Sequence, residues 1–278
     1  MIRFNKACVV ALVLGVIGVA ALTGCGSEAK GEAGANGQDV KTIVVGTGNH
    51  YEPYCYLDKD GNLAGYEYEV LKAVDELLPQ YKFEYRTSQF ADVLVALDAG
   101  QIDLAAHQYE KNDQRQAKYL FGKEAYTTYA TYPVVLTSNN QFKSLDDLKG
   151  KKVFTSSAAS NSTYMLEQYN KKHPDNPIQI VTSESATGEE EASAMKNGVW
   201  DAMILTTRDM DKLNKEFGNG TPFLKHLDTI VKKDNTYWLY RKDETELQTA
   251  VDGALKQLKD SGKLAEISKK VLGDDYTK

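Results

Sequence analysis

At 278 residues the chain has room for two lobes of about 100 residues each. Apolar residues make up 42% and charged residues 26%, a globular balance that excludes a long disordered protein. The formal charge of −6 excludes a nucleic-acid surface, which needs clustered positive charge. Seventeen Tyr against two Trp is an excess. Tyrosine gives a broad face with a polar tip, which suits a pocket for a small polar molecule as well as half-buried packing.

Arg3 and Lys6 precede an uncharged apolar run from Ala7 to Leu22, too short for a comfortable membrane span, which ends in Leu22-Thr23-Gly24-Cys25. Small residues ahead of a cysteine suit a cleavage and lipid-transfer site, and the segment resembles a bacterial lipobox. That resemblance implies a signal peptide over residues 1–24, lipidation at Cys25 and an extracytoplasmic location on a lipid anchor. The alternative is an uncleaved anchor with an incidental cysteine. Two acyl chains give lasting attachment where one is marginal. Cleavage removes Arg3 and Lys6 and no acid, so the formal charge moves from −6 to −8. Cys8 leaves with the signal and Cys25 is acylated, so Cys55 has no disulfide partner. It has no metal-ligand spacing either, and reads as a small apolar filler.

Residues 25–40, rich in Gly, Ala and polar groups, read as a flexible tether. The fold begins at Thr42-Ile43-Val44-Val45, a buried strand stopped by Gly46. Asp58 to Asn62 is a hairpin turn with Gly61 free to take positive φ. Val70, Leu71, Val74, Leu77 and Leu78 follow helical spacing over Tyr66 to Leu78, ahead of Pro79. Lys82 to Arg86 alternates as a strand, Phe90 to Leu97 is a helix capped by Gly100, and Ile102 to Ala106 is the next strand. Alternating strands and helices predict an α/β lobe with a largely parallel sheet.

The pattern then recurs. Ala96-Leu97-Asp98-Ala99-Gly100-Gln101-Ile102-Asp103 is echoed by Ala194-Met195-Lys196-Asn197-Gly198-Val199-Trp200-Asp201, and the opening strand by Lys152 to Thr155. Tyr237 to Tyr240 is a late strand, followed by helices over Thr245 to Leu258 and Leu264 to Val271. The expected division is 41–131 with 232–278 in one lobe and 132–231 in the other. Two crossings make a hinge, and the ligand cleft lies between the lobes at the carboxyl ends of the strands.

Arg115 follows a strand in Glu110-Lys111-Asn112-Asp113-Gln114-Arg115, and a planar guanidinium is the side chain suited to a carboxylate. On position alone a solvated surface residue is the better reading. The ordered set Gly46, Tyr51-Glu52-Pro53-Tyr54, Asp60-Gly61, Gly65-Tyr66-Glu67-Tyr68-Glu69, Gly100, Asp103, Arg115, Tyr119-Leu120-Phe121 and Leu148-Lys149-Gly150-Lys151-Lys152-Val153 resembles the family 3 solute-binding proteins of bacterial ABC amino-acid importers. The resemblance runs from Thr42 to the C-terminus. It implies a type II periplasmic-binding-protein-like fold, an amino-acid ligand, a membrane permease as partner, a monomer, and neither cofactor nor metal. It also implies that Arg115 holds the ligand carboxylate, assisted by donors around Gln108 and Glu110 and at the second-lobe helix start, Ser160 and Asn161. A helix N-terminus suits an anion. Tyr51 and Phe90 match the aromatic walls, although Phe90 also fits a core position.

Three departures stand out. Thr206 occupies the place of the family's ammonium-binding Asp, Gly48 replaces an acid, and His107 to Asn112 (HQYEKN) replaces a hydroxyl-rich run. Glu110 is the nearest acid to take over the ammonium. The HQYEKN segment, Thr206 and the tail Leu272 to Tyr276 resemble the cystine-type branch. A dehydratase-type enzyme using His107 and Glu110, and a sensor ectodomain, are the rival classes. Neither a Ser-His-Asp set nor a phosphate loop supports the first.

Overall fold

The computed structural model describes residues 40–278, so the expected signal peptide, Cys25 and the tether to residue 39 lie outside the described residues. β1 (Lys41–Gly48) opens the fold and buries Ile43 and Val45 completely. A small antiparallel sheet follows, made of β2 (His50–Tyr51), β3 (Cys55–Leu57) and β4 (Leu63–Ala64). The expected hairpin turn is present: Asp58 Oδ1 accepts from the N–H groups of Asp60 and Asn62, each at 2.9 Å, and Gly61 takes φ 80°. α1 (Tyr66–Asp75), β5 (Tyr81–Ser88), α2 (Phe90–Asp98), β6 (Leu104–Glu110), the short α3 (Asp113–Lys118), β7 (Leu120–Phe121) and β8 (Thr127–Leu136) come next. A 3₁₀ turn at Leu145–Leu148 leads into β9 (Lys152–Thr155), α4 (Asn161–Lys172), β10 (Gln179–Thr182), α5 (Gly188–Lys196), β11 (Ala202–Thr206), α6 (Thr207–Phe217) and β12 (Leu224–His226). The chain closes with β13 (Lys232–Tyr240), α7 (Thr245–Asp260) and α8 (Lys263–Leu272).

The main sheet runs β10-β9-β11-β8-β13-β6-β1-β5. At one end β5, β1 and β6 are parallel, with β13 antiparallel to β6. At the other β10, β9 and β11 are parallel, with β8 antiparallel to β11. β8 and β13 pair with each other from Thr127–Thr236 to Thr131–Lys232, joining two sheets of one design. This is the expected two-lobed α/β fold of type II periplasmic binding proteins. Each sheet is covered on both faces. In the first lobe Ile43, Leu71, Trp238, Val251 and Leu264 pack under α1, α7 and α8, while Val93, Leu97 and Ile102 pack under α2. In the second, the adjacent residues Val153 and Phe154 point into different clusters, as a parallel strand buried on both faces must.

The repeat is physical. Gly100 and Gly198 both end a helix at φ 67°. Asp103 Oδ2 accepts from Val44 N at 2.8 Å, and Asp201 Oδ2 accepts from Lys152 N at 2.9 Å. In both lobes the aspartate N–H donates back to the same residue's carbonyl. Each Asp therefore ties the end of one crossover to the opening strand of its lobe.

Several boundaries differ from expectation: β1 runs through Gly46 to Gly48, and β13 starts at Lys232 rather than Tyr237. α1 stops at Asp75, and Leu77 and Leu78 continue in tighter turns that donate to Val74 and Asp75. The strand expected over Ile102 to Ala106 is β6, from Leu104 to Glu110, with all seven residues buried. In its second half His107, Gln108 and Glu110 interrupt the apolar signature because they meet specific partners, while Tyr109 packs in the core under α2.

Candidate functional site

A cavity of about 560 Å³ lies between the two sheets, walled by segments at the carboxyl ends of β1 and β6, by β8, and by the starts of α2, α4, α5 and α6. Tyr51, Phe90, Gln108, Glu110, Ser160, Asn161 and Thr206 all line it, so seven of the eight residues singled out as ligand contacts meet there. Arg115 is the exception. It stands behind the wall, 5% exposed, where Nη1 donates to the Glu110 carbonyl at 3.0 Å and Nη2 to the Ala159 carbonyl at 2.8 Å. Nη1 also faces Glu110 Oε2 at 3.5 Å. These contacts use three of the five N–H donors of a guanidinium. Phe90 and Tyr109 flank its plane at 5.6 and 5.2 Å.

The α4 end of the cavity is rich in donors. Ser160 caps the helix, its Oγ accepting from Thr163 N at 3.1 Å. Asn161 is 3% exposed; its Oδ1 accepts from Asn112 Nδ2 at 3.2 Å, and its own Nδ2 has no partner among the described residues. A buried N–H without an acceptor is costly, and an oxygen brought into the cavity would satisfy it. Asn112 in turn caps α3, accepting from Arg115 N at 2.8 Å, and so sets the position of the guanidinium.

The opposite chemistry comes from rings. Tyr51 stacks on His107 at 6.0 Å, and Phe90 meets the same imidazole edge-on at 4.9 Å. Burial, helped by the Arg115 charge, lowers the His107 pKa to about 4, so the ring is a neutral aromatic wall at ordinary pH. This explains two of the departures together. A Cβ on Gly48 would sit 2.3 Å from His107 Nε2 and 2.7 Å from Cys55 Sγ. Residue 48 has no side chain because His107 fills that space, and Cys55 Sγ contacts its Nδ1 at 3.6 Å.

Gln108 reaches the cavity with backbone conformation rather than side chain. It takes φ 54°, its N–H donates to the Tyr126 hydroxyl at 3.1 Å, and its Nε2 donates to Glu67 at 2.8 Å. Glu67, fully buried, also accepts from Tyr126 Oη at 2.9 Å and Trp238 Nε1 at 2.5 Å. Burial pushes its pKa up while the three donors pull it down. This network fixes the left-handed turn at the cavity floor. Glu110 has protein partners of its own, Arg115 and the Tyr129 hydroxyl, which donates to its Oε1.

The second lobe supplies acids that no motif had singled out. Thr206 caps α6, accepting from Asp209 N at 3.1 Å and donating to Asp209 Oδ2 at 2.7 Å. The Thr-x-x-Asp spacing of Thr206 to Asp209 is a capping signature and could have placed this carboxylate. Glu191, near the start of α5, lines the cavity with it. Burial, with the Asp209 charge added, raises the Glu191 pKa to about 7. Contacts across the cleft hold the lobes together: Asn112 with Asn161, Arg115 with Ala159, Arg208 Nη1 with Tyr54 Oη at 2.6 Å, and Lys212 with Glu52 at 2.7 Å.

The chain matches the model for bacterial extracellular solute-binding proteins, family 3, over residues 43–274. It is 36% identical over 274 residues to the L-cystine-binding protein TcyK of Bacillus subtilis, covering 99% of this chain and 98% of that one. The L-cystine-binding protein TcyJ of the same organism is 33% identical over 241 residues, 87% of each chain. A solved chain from Listeria monocytogenes is 38% identical with a TM-score of 0.77, covering 86% of this chain and 99% of that one. Fold, cavity and sequence agree, and the chain belongs to the bacterial extracellular solute-binding proteins of family 3.

Proposed function

We propose that the chain captures an α-amino acid of the cystine class outside the cytoplasmic membrane and delivers it to an ABC permease, as a monomer anchored by lipid at Cys25 and without catalysis. The Asn161 Nδ2 at the start of α4, buried without a partner among the described residues and tied through Asn112 to the Arg115 segment, carries this reading. Such a donor calls for an acceptor such as a carboxylate oxygen, and the Arg115 guanidinium behind the wall keeps N–H groups that could serve the same group. Ser160 and the first N–H groups of α4 add to the same positive end. Tyr51 and Phe90, with the neutral His107, offer the apolar faces that a disulfide-bearing side chain would pack against. The cystine-binding relatives support the ligand class.

The lobes divide, in this reading, at 131/132 and 231/232, so that β8 and β13 act as the hinge. The ligand gains contacts from both lobes only when they are closed, and its binding energy therefore shifts the population toward the closed state. Calorimetry across the twenty amino acids and L-cystine tests the proposal. L-cystine should bind with micromolar or tighter affinity, and no product should form on long incubation. Binding confined to solutes without an α-carboxylate, or turnover of a bound amino acid, would overturn it.

A further inference from the structure

We infer that the segment after α8 is a closure latch, in which Tyr276 and Tyr54 grip Arg208 of the opposite lobe and bias the protein toward its closed state. The inference rests on the reading of β8 and β13 as the hinge. Gly273 ends α8 at φ 84° and lets the chain turn back on itself. Ser268, fully buried on α8, then holds the returning backbone: its Oγ donates to the Asp274 carbonyl at 2.7 Å and accepts from Tyr276 N at 2.9 Å. The Tyr276 carbonyl accepts from Thr128 N at 2.8 Å, and Thr128 is the β8 residue that pairs with Asn235 of β13. The Tyr276 backbone is therefore bonded to α8 on one side and to a hinge strand on the other, and its ring is delivered to one place.

That place is the guanidinium of Arg208, the second residue of α6. Its Cζ lies 4.3 Å from the centre of the Tyr276 ring and 5.3 Å from that of Tyr54, and Nη1 donates to Tyr54 Oη at 2.6 Å. Tyr54 is 2% exposed and Arg208 half-buried, so the contact is partly shielded from water, which strengthens a cation on an aromatic face. None of the three residues lines the cavity. They join the lobes away from the ligand, whereas the tie from Asn112 ends on Asn161, which does line it. The other outlying tie, Lys212 to Glu52, is exposed and contributes little. A contact made when the lobes shut, by groups that never meet the ligand, changes affinity through the closed population alone.

Titration calorimetry with L-cystine, and small-angle scattering with and without it, test the latch on the folded chain. Tyr276→Leu keeps an apolar side chain on the core but removes the ring face. It should weaken L-cystine roughly fivefold and leave the radius of gyration of the saturated protein unchanged. Arg208 neighbours Asp209, which lines the cavity, so Arg208→Gln alone also alters the field at the ligand. The decisive quantity is therefore the coupling: in the Arg208→Gln background, Tyr276→Leu should change affinity by less than twofold. Tyr276→Leu binding within twofold of the unmodified chain, or losing the same factor in both backgrounds, overturns the latch; the second result means that Tyr276 acts through first-lobe packing. Should Tyr276→Leu fail to fold, Tyr54→Phe decides alone. It removes the acceptor for Arg208 and should weaken L-cystine threefold or more, and a smaller loss overturns the proposal. An unmodified chain that binds L-cystine with no change in radius of gyration refutes the hinge reading and the latch with it, a result distinct from closure that ignores Tyr276.

Discussion

Replacing Arg115 by Met removes the guanidinium but keeps an apolar stem between Phe90 and Tyr109. Two separable losses should follow. The first is stability. Arg115 is 5% exposed and its pair with Glu110 is closed off from water, so Glu110 is left buried with only the Tyr129 hydroxyl. Breaking a buried pair from one side costs about 3–5 kcal/mol, and part is recovered because Glu110, already raised by burial, takes up a proton instead. The second is ligand affinity, lost with the carboxylate's charged partner by roughly a hundredfold or more on the same scale. The double variant Arg115→Met with Glu110→Gln separates them. With no charge left uncompensated, its unfolding stability should return to within about 1–2 kcal/mol of the unmodified chain. Its affinity for L-cystine should stay low. Thermal unfolding and calorimetry on the same samples read the two quantities. A double variant that binds within about threefold of the unmodified chain would show that Arg115 organises the cleft without touching the ligand.

Binding should depend on pH through Glu191, which Asp209 and Lys212 of α6 face. Its raised pKa, about 7, means the ligand-free fold loses stability as pH rises from the ordinary carboxylate range through 7. A ligand ammonium favours the charged form, so affinity should hold above pH 7 and fall roughly fivefold to tenfold by pH 6. Calorimetry in two buffers of different ionisation enthalpy should count the released proton, and a flat profile would remove Glu191 from the site. Asp103→Ala should lower unfolding stability by about 1–3 kcal/mol, since it frees Val44 N and also breaks the 3.2 Å pair with Arg241. Asp201→Ala, whose bond to Lys152 N is exposed, should cost less, and denaturant midpoints compare the two. Cys25→Ser should move the protein out of the membrane fraction, and a lipid-bearing mutant would reject the anchor.

Much of this protein is legible residue by residue. Helical spacing, Gly100, Gly198 and the Asp103/Asp201 echo mark two lobes of one design, because each depends on local backbone geometry and a period that survives in one dimension. The family resemblance implies a place at the cavity for Tyr51, Phe90, Ser160, Asn161 and Thr206, and all five line it. The rest depends on meetings across the fold. Gly48 and His107 are separate oddities in the sequence, and only packing shows that one makes room for the other. Glu110 reads as a spare acid until Arg115 and Tyr129 are seen to claim it. Thr131 and Thr206 are 75 positions apart, and only the register of β8 against β11 puts them side by side. Local propensity is written in neighbouring residues. Charge compensation is decided by which distant groups share a buried space, and that is a property of the tertiary structure alone.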